Sequence, residues 1–341
     1  MTNTFYIENT KFKVNTKVLK TLEIKSHPNN YKVYFKKFKH NFTDKDVILV
    51  DKNVQHLYNI SHSKMIIIEA TELNKSVDTV LSICEQLIKF GFDKGCTLNV
   101  IGGGIIQDIG AFTAKIYKRG INWVFYPTTL LSQCDSCIGG KTALNFKEHK
   151  NQLALFSAPK EVIIDTNFLK TLKKEDITSG YGEIIKLFLM GGEYYTSKLD
   201  EFDIDTAVFH ALMLKKAVVD YDEFEILERK SLNYGHSFGH IIEPMTNYKI
   251  PHGEAVLLGM LIINKLFDNI SQVSELIEKW TTLDKIKNIN IEELVKRLKT
   301  DKKVSNGIIS FVTLPSIGKI SFIDQKIDNN LINKVHEIFT N

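Results

Sequence analysis

Hydrophobic and polar positions along the chain follow two regimes. The segments FYIENTKFKV and NNYKVYFKKF near the amino terminus alternate apolar and polar side chains, the period-two pattern of a half-buried strand, and read as edge strands. Their lysines would discourage pairing with other chains. DVILVD, which ends in Asp51, and KMIIIEA are short β-branched runs, and SVDTVLSICEQLIKFGF has the period of an amphipathic helix. CTLNVIGGG is a further strand ending in three glycines, the next helix begins at once with Ile105, and WVFYPTT supplies one more strand. Strands and helices alternating at this spacing predict a parallel, doubly wound, Rossmann-like α/β domain. After Glu183 the strand pattern gives out. DTAVFHALMLKKAVV, GEAVLLGMLIINKLF, SQVSELIEKWTTL and IEELVKRLKT are helical by period, and the pair IISFVTL and GKISFI predicts a small hairpin before a last helix, NNLINKVHEIF. The expected organisation is an α/β domain over residues 1–175 and a mainly helical domain over 176–341, with the boundary near Thr171 to Thr178.

Composition narrows the function classes. A chain of 341 residues is comfortable for two domains, each with its own core. A formal charge of +4 with scattered lysines argues against nucleic acid and leaves small anionic substrates open. Met1 is followed by polar residues and no apolar run reaches membrane-spanning length, so a cytoplasmic protein without a membrane association is expected. The four cysteines do not make a disulfide framework, and Cys134-Asp135-Ser136-Cys137, lacking a second pair at metal spacing, reads as packing residues.

Candidate chemistry concentrates in NYGHSFGHIIEPMTNYKIPHGE, which holds three of the ten histidines within seventeen residues. His236 and His240 are four apart at the start of a predicted helix and can share one face, and His252 returns where the next helix begins. A divalent metal held there needs a further ligand from outside the segment, and the pattern is not that of a zincin, since Ser237 stands where a glutamate would be. Helix-capping and core histidines are the bland alternative. Gly102, Gly103 and Gly104 lie where a strand feeds a helix, a place where a pyrophosphate meets bare backbone and the positive helix end. Gln107 stands where the usual dinucleotide fingerprint has its third glycine, so a merely tight turn is equally open. Asp51, at the end of an earlier strand, is placed as a ribose-binding carboxylate would be, and Asp108 lies inside the first helical turn.

The series GGGIIQDIGAFTAKIYKRG, PTTLL, DSCIGGKTALN, KN, GYGEIIK, ERKSLNYGHSFGH and HGEAVLLGM resembles, in order and spacing, the motifs of 3-dehydroquinate synthase in the sugar-phosphate cyclase superfamily. The resemblance runs from about Asp46 to about Gly318. It implies a dehydroquinate synthase-like fold with the metal on the helical domain, and a Glu183, His236, His252 site for Zn2+, which also accepts Co2+. It implies NAD as cofactor, with Asp51, Glu72, Lys75, Gly103, Gly104, Asp108, Thr128, Thr129, Phe168 and Thr171 around it. On the substrate side it implies His240, Lys141, Asp135, Lys186 and Glu225 as catalytic residues. Lys150, Asn151, Lys215, Arg229 and Asn233 would bind substrate, with Lys302 or Lys303 adding a cation and Arg119 reaching across a homodimer to the partner's site. The substrate would be a small anionic sugar phosphate. The family reaction is a lyase reaction of the shikimate pathway: transient alcohol oxidation, phosphate elimination, re-reduction, ring opening and intramolecular aldol closure, with NAD recycled.

Two features favour the dehydroquinate branch by this resemblance. His240 is kept where cyclases acting on sedoheptulose phosphate resemble one another in having proline, and Arg229 suits a substrate carboxylate that the deoxy-inosose synthases do not meet. Departures from the pattern are HKN for GKN, KEH for a Pro-Leu-Gly turn, and Leu227 for a glycine. They alter backbone freedom near Lys150, Asn151 and Arg229. They keep in view a relative acting on amino-dehydroquinate, sedoheptulose 7-phosphate or glucose 6-phosphate type substrates. A metal-dependent polyol dehydrogenase and a non-catalytic scaffold are the readings outside this activity.

Overall fold

The computed structural model describes residues 2–147, 149–268, 271–300 and 304–340. They form two compact units: Val18–Lys173, and Met1–Lys17 together with Lys174–Asn341. The first seventeen residues therefore fold with the carboxy-terminal half, where residues 1–175 were expected to stay together. Their strands, β1 (Thr2–Ile7) and β2 (Thr10–Asn15), bury Phe5, Ile7, Phe12 and Val14 on one face and expose lysines on the other. Alternation of this kind reports which face is buried. It carries no information about which sheet the strand joins.

The Val18–Lys173 unit is built on a seven-stranded sheet. Its chain order is β3 (Thr21–Ile24), β4 (Tyr31–Phe35), β5 (Asp46–Asp51), α1 (Lys52–Leu57), β6 (Met65–Ile68), α2 (Val77–Lys89), β7 (Thr97–Gly102), α3 (Gly104–Ile116) and β8 (Asn122–Pro127). The hairpin β9 (Lys141–Phe146) and β10 (His149–Phe156) and strand β11 (Glu161–Ile164) follow. The spatial order is β3-β4-β11-β8-β7-β5-β6, parallel throughout except for β3. Strands β5, β7 and β8 are buried along nearly their whole length, as strands covered on both faces must be. The segment read as a second edge strand is β4, which is interior because β3 pairs outside it.

From β5 the chain steps to β6 on one side and then returns to β7 on the other, so direction reverses between β5 and β7. Ligands of open parallel sheets bind at the carboxyl ends of the strands at such a reversal. Asp51 ends β5, and Gly102 ends β7.

The second unit is mainly helical, as expected. It contains α4 (Lys174–Gly191), α5 (Glu193–Thr196), α6 (Ile204–Tyr221), α7 (His236–Met245), α8 (His252–Leu266), α9 (Ser271–Glu278), α10 (Ile291–Lys299) and α11 (Asn329–Thr340). A five-stranded sheet accompanies them. Strand β12 (Val304–Ser305) and the predicted hairpin, β13 (Ile308–Ser316) with β14 (Lys319–Lys326), are extended by β1, parallel to β14, and then by β2. Among the described residues no helix is long and apolar enough to cross a membrane.

His210 on α6 is buried among aromatic rings, with Phe202 at 4.9 Å, Phe209 at 5.4 Å and Tyr195 at 5.5 Å between centroids. Burial pushes its pKa down to about 4, so the folded protein keeps the ring neutral. The unfolded chain protonates near the ordinary histidine value of 6.5. His210 therefore costs no stability above that pH, and an increasing amount as pH falls from 6.5 towards 4. We expect acid urea titrations to show a loss of up to about 3 kcal/mol from this group. His210→Phe should flatten the pH dependence over that window; an identical acid slope in the variant would remove His210 as its source.

Candidate active site

Glycine sets how closely the helices carrying the candidate metal ligands approach. Glu183 lies midway along α4, His236 opens α7 behind the left-handed Gly235 (φ 80°), and His252 opens α8 behind Pro251. A Cβ on Gly182 would fall on the Gly253 carbonyl, one on Gly253 on the Ser179 carbonyl, and one on Gly259 on the Gly235 carbonyl. Bare backbone thus meets bare backbone where α4 and α7 pack on α8. Any larger residue would hold these helices apart and separate the side chains they present.

The Glu183 carboxylate is fully buried, and neither oxygen meets a donor with hydrogen-bond geometry among the described residues. Its Oε1 lies 3.5 Å from His236 Nε2 and 3.4 Å from His252 Nε2, and its Oε2 forms an ion pair with Lys186. Those nitrogen–oxygen distances exceed a normal hydrogen bond. They fit two ligands sharing one ion, since donors about 2.1 Å from a tetrahedral zinc lie about 3.4 Å apart.

Each imidazole is oriented from behind. His236 Nδ1 lies 3.1 Å from the Tyr234 carbonyl and His252 Nδ1 lies 3.1 Å from Glu243 Oε2. An acceptor at Nδ1 fixes the proton there and turns the Nε2 lone pair towards Glu183, the arrangement that ligating histidines adopt.

The electrostatics agree. Burial opposes ionisation of Glu183, but the Lys186 ammonium and the His252 imidazolium outweigh it and hold the carboxyl well below its usual range. Burial and the nearby Lys186 keep His236 neutral. For His252 burial is overcome by Glu183 and Glu243, which hold its pKa up at about 10. The two carboxylates thus demand a positive charge at this point, which a proton or a divalent cation supplies. His240 completes the cluster: its ring lies 5.1 Å from His236 and 5.7 Å from His252, and the ligand atoms of the three histidines fall within 4.8 Å of one another. Of the three histidines, His236 and His252 are the two whose Nε2 lies within 3.5 Å of Glu183 Oε1.

The same unit carries further expected residues. Lys186 Nζ is buried and also donates to the Leu232 carbonyl at 2.8 Å, and Lys215 is buried on α6. Asn233 donates to Glu225 at 2.7 Å, and the buried Arg229 guanidinium donates to the Glu223 carbonyl. The segment that carries them is pinned by Asp222, whose carboxylate accepts from the backbone of Ile226, Leu227 and Arg229 at 2.8–3.0 Å. Burial works against the Asp222 charge, but these bonds hold its carboxyl low. Leu227 is exposed on this segment, and its backbone (φ −121°, ψ −117°) lies outside the usual helical and extended regions, a conformation that the usual glycine adopts more readily. Lys302 and Lys303 lie outside the described residues.

In the Val18–Lys173 unit the expected cofactor residues all follow the carboxyl ends of parallel strands. Asp51 caps α1 by accepting from Asn53 N at 2.9 Å, and burial pushes its carboxyl up. Glu72 and Lys75 follow β6, Gly103 and Gly104 follow β7, Thr128 and Thr129 follow β8, and Phe168 and Thr171 follow β11. A Cβ on Gly103 would lie 2.8 Å from Thr129 Cγ2, so only glycine lets the two loops approach. Asp108, raised by burial, pairs with Lys75 Nζ at 2.6 Å.

Asp135 sits in a turn of π-helix after β8, while Lys141, Lys150 and Asn151 are on the hairpin β9–β10. The left-handed backbone of that hairpin falls on Lys147 and Asn151, and His149, at the departed glycine, is an ordinary strand residue paired with Phe146. Arg119 stands apart: it precedes β8, at the opposite edge of the sheet.

Several contributors carried no sequence signal. Gln107 is not a failed fingerprint glycine: it is buried, and its side chain holds both the carbonyl and the hydroxyl of Ser136, at 2.7 and 2.6 Å, bracing the Asp135 turn. Close helix–strand packing falls to Gly110 instead, where a Cβ would lie 2.6 Å from Val100. Glu243 was within the histidine segment, yet nothing in its spacing from His252 marks it as that ring's partner.

Replacing Glu243 with alanine should weaken zinc binding about 10- to 100-fold while leaving the direct ligands in place. Competition against a chromophoric chelator measures this, and an unchanged affinity would show that His252 needs no brace.

Residues 65–179 match the family model for the 3-dehydroquinate synthase N-terminal domain, and residues 180–304 match that for its C-terminal domain. The 3-dehydroquinate synthase of Ruthia magnifica subsp. Calyptogena magnifica is 35% identical over 304 residues, covering 83% of this chain and 84% of that protein. Among solved structures, 2-deoxy-scyllo-inosose synthase complexed with carbaglucose-6-phosphate, NAD+ and Co2+ superposes with a TM-score of 0.80 at 20% identity, over 93% of this chain and 99% of that one. The 2-epi-5-epi-valiolone synthase from Streptomyces hygroscopicus subsp. jinggangensis, with NAD+ and Zn2+ bound, gives 0.74 at 22%, over 91% and 96%. At these identities the structural likeness is one of fold. The two matched domains and the close relative together show that this chain belongs to the 3-dehydroquinate synthase family.

Proposed function

We propose that this chain catalyses the conversion of 3-deoxy-D-arabino-heptulosonate 7-phosphate to 3-dehydroquinate with loss of phosphate, using NAD and a zinc ion. The observation that carries the reading is the buried Glu183 carboxylate at ion-sharing distance from two imidazoles whose Nδ1 atoms are already engaged. The solved relatives' NAD+ with Co2+ or Zn2+ supports the same cofactor pair here.

The residues divide the work by chemistry. Glu183, His236 and His252 would hold the metal, which when bound supplies a Lewis acid for the alcohol to be oxidised. NAD supplies a hydride acceptor that is regenerated within the cycle. Asp51 suits the ribose hydroxyls, and the bare Gly103 backbone at the start of α3 suits the pyrophosphate. Asp108 and Lys75 form a neutral pair beside that loop.

A keto acid phosphate is a small polyanion, and charge-assisted bonds are the strong way to hold one. Lys141, Lys150, Asn151, Lys186, Lys215, Arg229 and Asn233 provide them. Glu225 also holds the Asn233 amide, and with Asp135, Lys141, Lys186 and the exposed His240 edge it is assigned to the catalytic set that moves protons on and off substrate oxygens. Arg119, at the far edge of its own sheet, is assigned to a partner's site in a homodimer. A cytoplasmic setting accords with four free cysteines.

The test is phosphate release by zinc-loaded protein with catalytic NAD, offered 3-deoxy-D-arabino-heptulosonate 7-phosphate, its amino analogue, sedoheptulose 7-phosphate or glucose 6-phosphate. Release from the first alone, with dehydroquinate formed and no net NADH, is expected. Turnover of another substrate instead would move the chain to a neighbouring cyclase activity. Stoichiometric NADH would make it a dehydrogenase. Glu183→Ala should lose both bound zinc and phosphate release.

A further inference from the structure

Asn145 has no role in the proposed chemistry, yet its hydrogen bonds all end on groups of the nucleotide and anion side. It lies half-buried on β9. Its Nδ2 donates to the Glu72 carbonyl at 3.1 Å and to Glu72 Oε2 at 2.8 Å. Its Oδ1 accepts the Asn151 N–H at 3.0 Å, and its own N–H donates to the Lys75 carbonyl at 2.9 Å.

The groups it holds are joined in turn to lysines. The other Glu72 oxygen, Oε1, lies 3.4 Å from Lys150 Nζ. Lys75 Nζ is shared between Asp108 Oδ2 at 2.6 Å and Asn151 Oδ1 at 2.7 Å. Asn151 has φ 55°, inside the irregularity that shifts the hairpin register between His149 and Leu153. Asparagine is among the few residues with a Cβ that take the left-handed region readily. The Asn145 Oδ1 bond fixes the peptide N–H in that orientation.

From this geometry we propose that Asn145 is a positioning residue: by holding Glu72 and the left-handed Asn151 it sets where Lys150 and Lys75 present their charges to substrate and nucleotide. The proposal rests on the function assigned to this chain. Only an amide can do this, because both its donor and its acceptor are used at once. Aspartate keeps the acceptor and opposes a second carboxylate to Glu72.

The readout is one that general hairpin stability would not move, a change in KM and NAD affinity without a matching change in kcat. We expect Asn145→Ala to raise KM for the phosphate substrate and to weaken NAD affinity by fluorescence titration, each about tenfold, while kcat stays within about twofold. Asn145→Asp, which keeps the acceptor for Asn151 but sets a carboxylate against Glu72, should lose as much. Two results would overturn the proposal: an Asn145→Ala protein whose KM and NAD affinity equal those of the wild type, or a loss confined to kcat. If the wild type itself releases no phosphate from the heptulosonate phosphate, the functional reading fails, and the NAD titrations still decide the part played by Asn145.

Discussion

A carboxylate with no solvent exposure must be compensated where it stands, and Glu183 is the point on which its unit turns. Leaving such a charge uncompensated costs several kcal/mol, about 3–5 when one partner of a buried pair is removed. One partner comes from its own helix, Lys186 a turn later, and two come from other helices. A simple structural ion pair would be complete with the lysine. The two histidine edges, held at a spacing too long for hydrogen bonding and each anchored from behind, are what turn the pair into a donor set. Their convergence rests in turn on helices close enough to touch, and hence on the glycines of α4 and α8, far from obvious functional residues in chemical character.

The nucleotide side obeys a different constraint, the geometry of a parallel sheet. The parallel strands β5, β6, β7, β8 and β11 deliver their loops to the same edge, so residues as far apart in sequence as Asp51 and Phe168 arrive there without any pairing between them. The charges on that edge are balanced locally. Lys75 answers the buried Asp108, and Lys150 answers Glu72, which leaves the loops ordered before any anion arrives.

Much of this was legible in the sequence for reasons that are local. Runs such as DVILVD and CTLNVIGGG fix both the strand and its burial, and the glycine loop and histidine segment carry their own spacing. Glu183 was visible only through resemblance, because a lone glutamate on a helix looks the same whether it faces solvent or two histidines. The role of Gln107 was illegible since its partner, Ser136, lies beyond an intervening strand. The first seventeen residues show the same limit most plainly: alternation identified strands, and the sheet they join lies some three hundred residues away in the chain.

That last pairing has a consequence for how the protein comes into being. The Val18–Lys173 unit is continuous and holds all its own strands, so it can close while the ribosome is still making the carboxy-terminal half. The other unit cannot. Its sheet needs β14 between β13 and β1, so β1 and β2 must wait, apolar face uncovered, until β14 has emerged some three hundred residues later. A chain interrupted late in synthesis would therefore leave a finished nucleotide-binding half tethered at both ends to an unfinished metal-binding one.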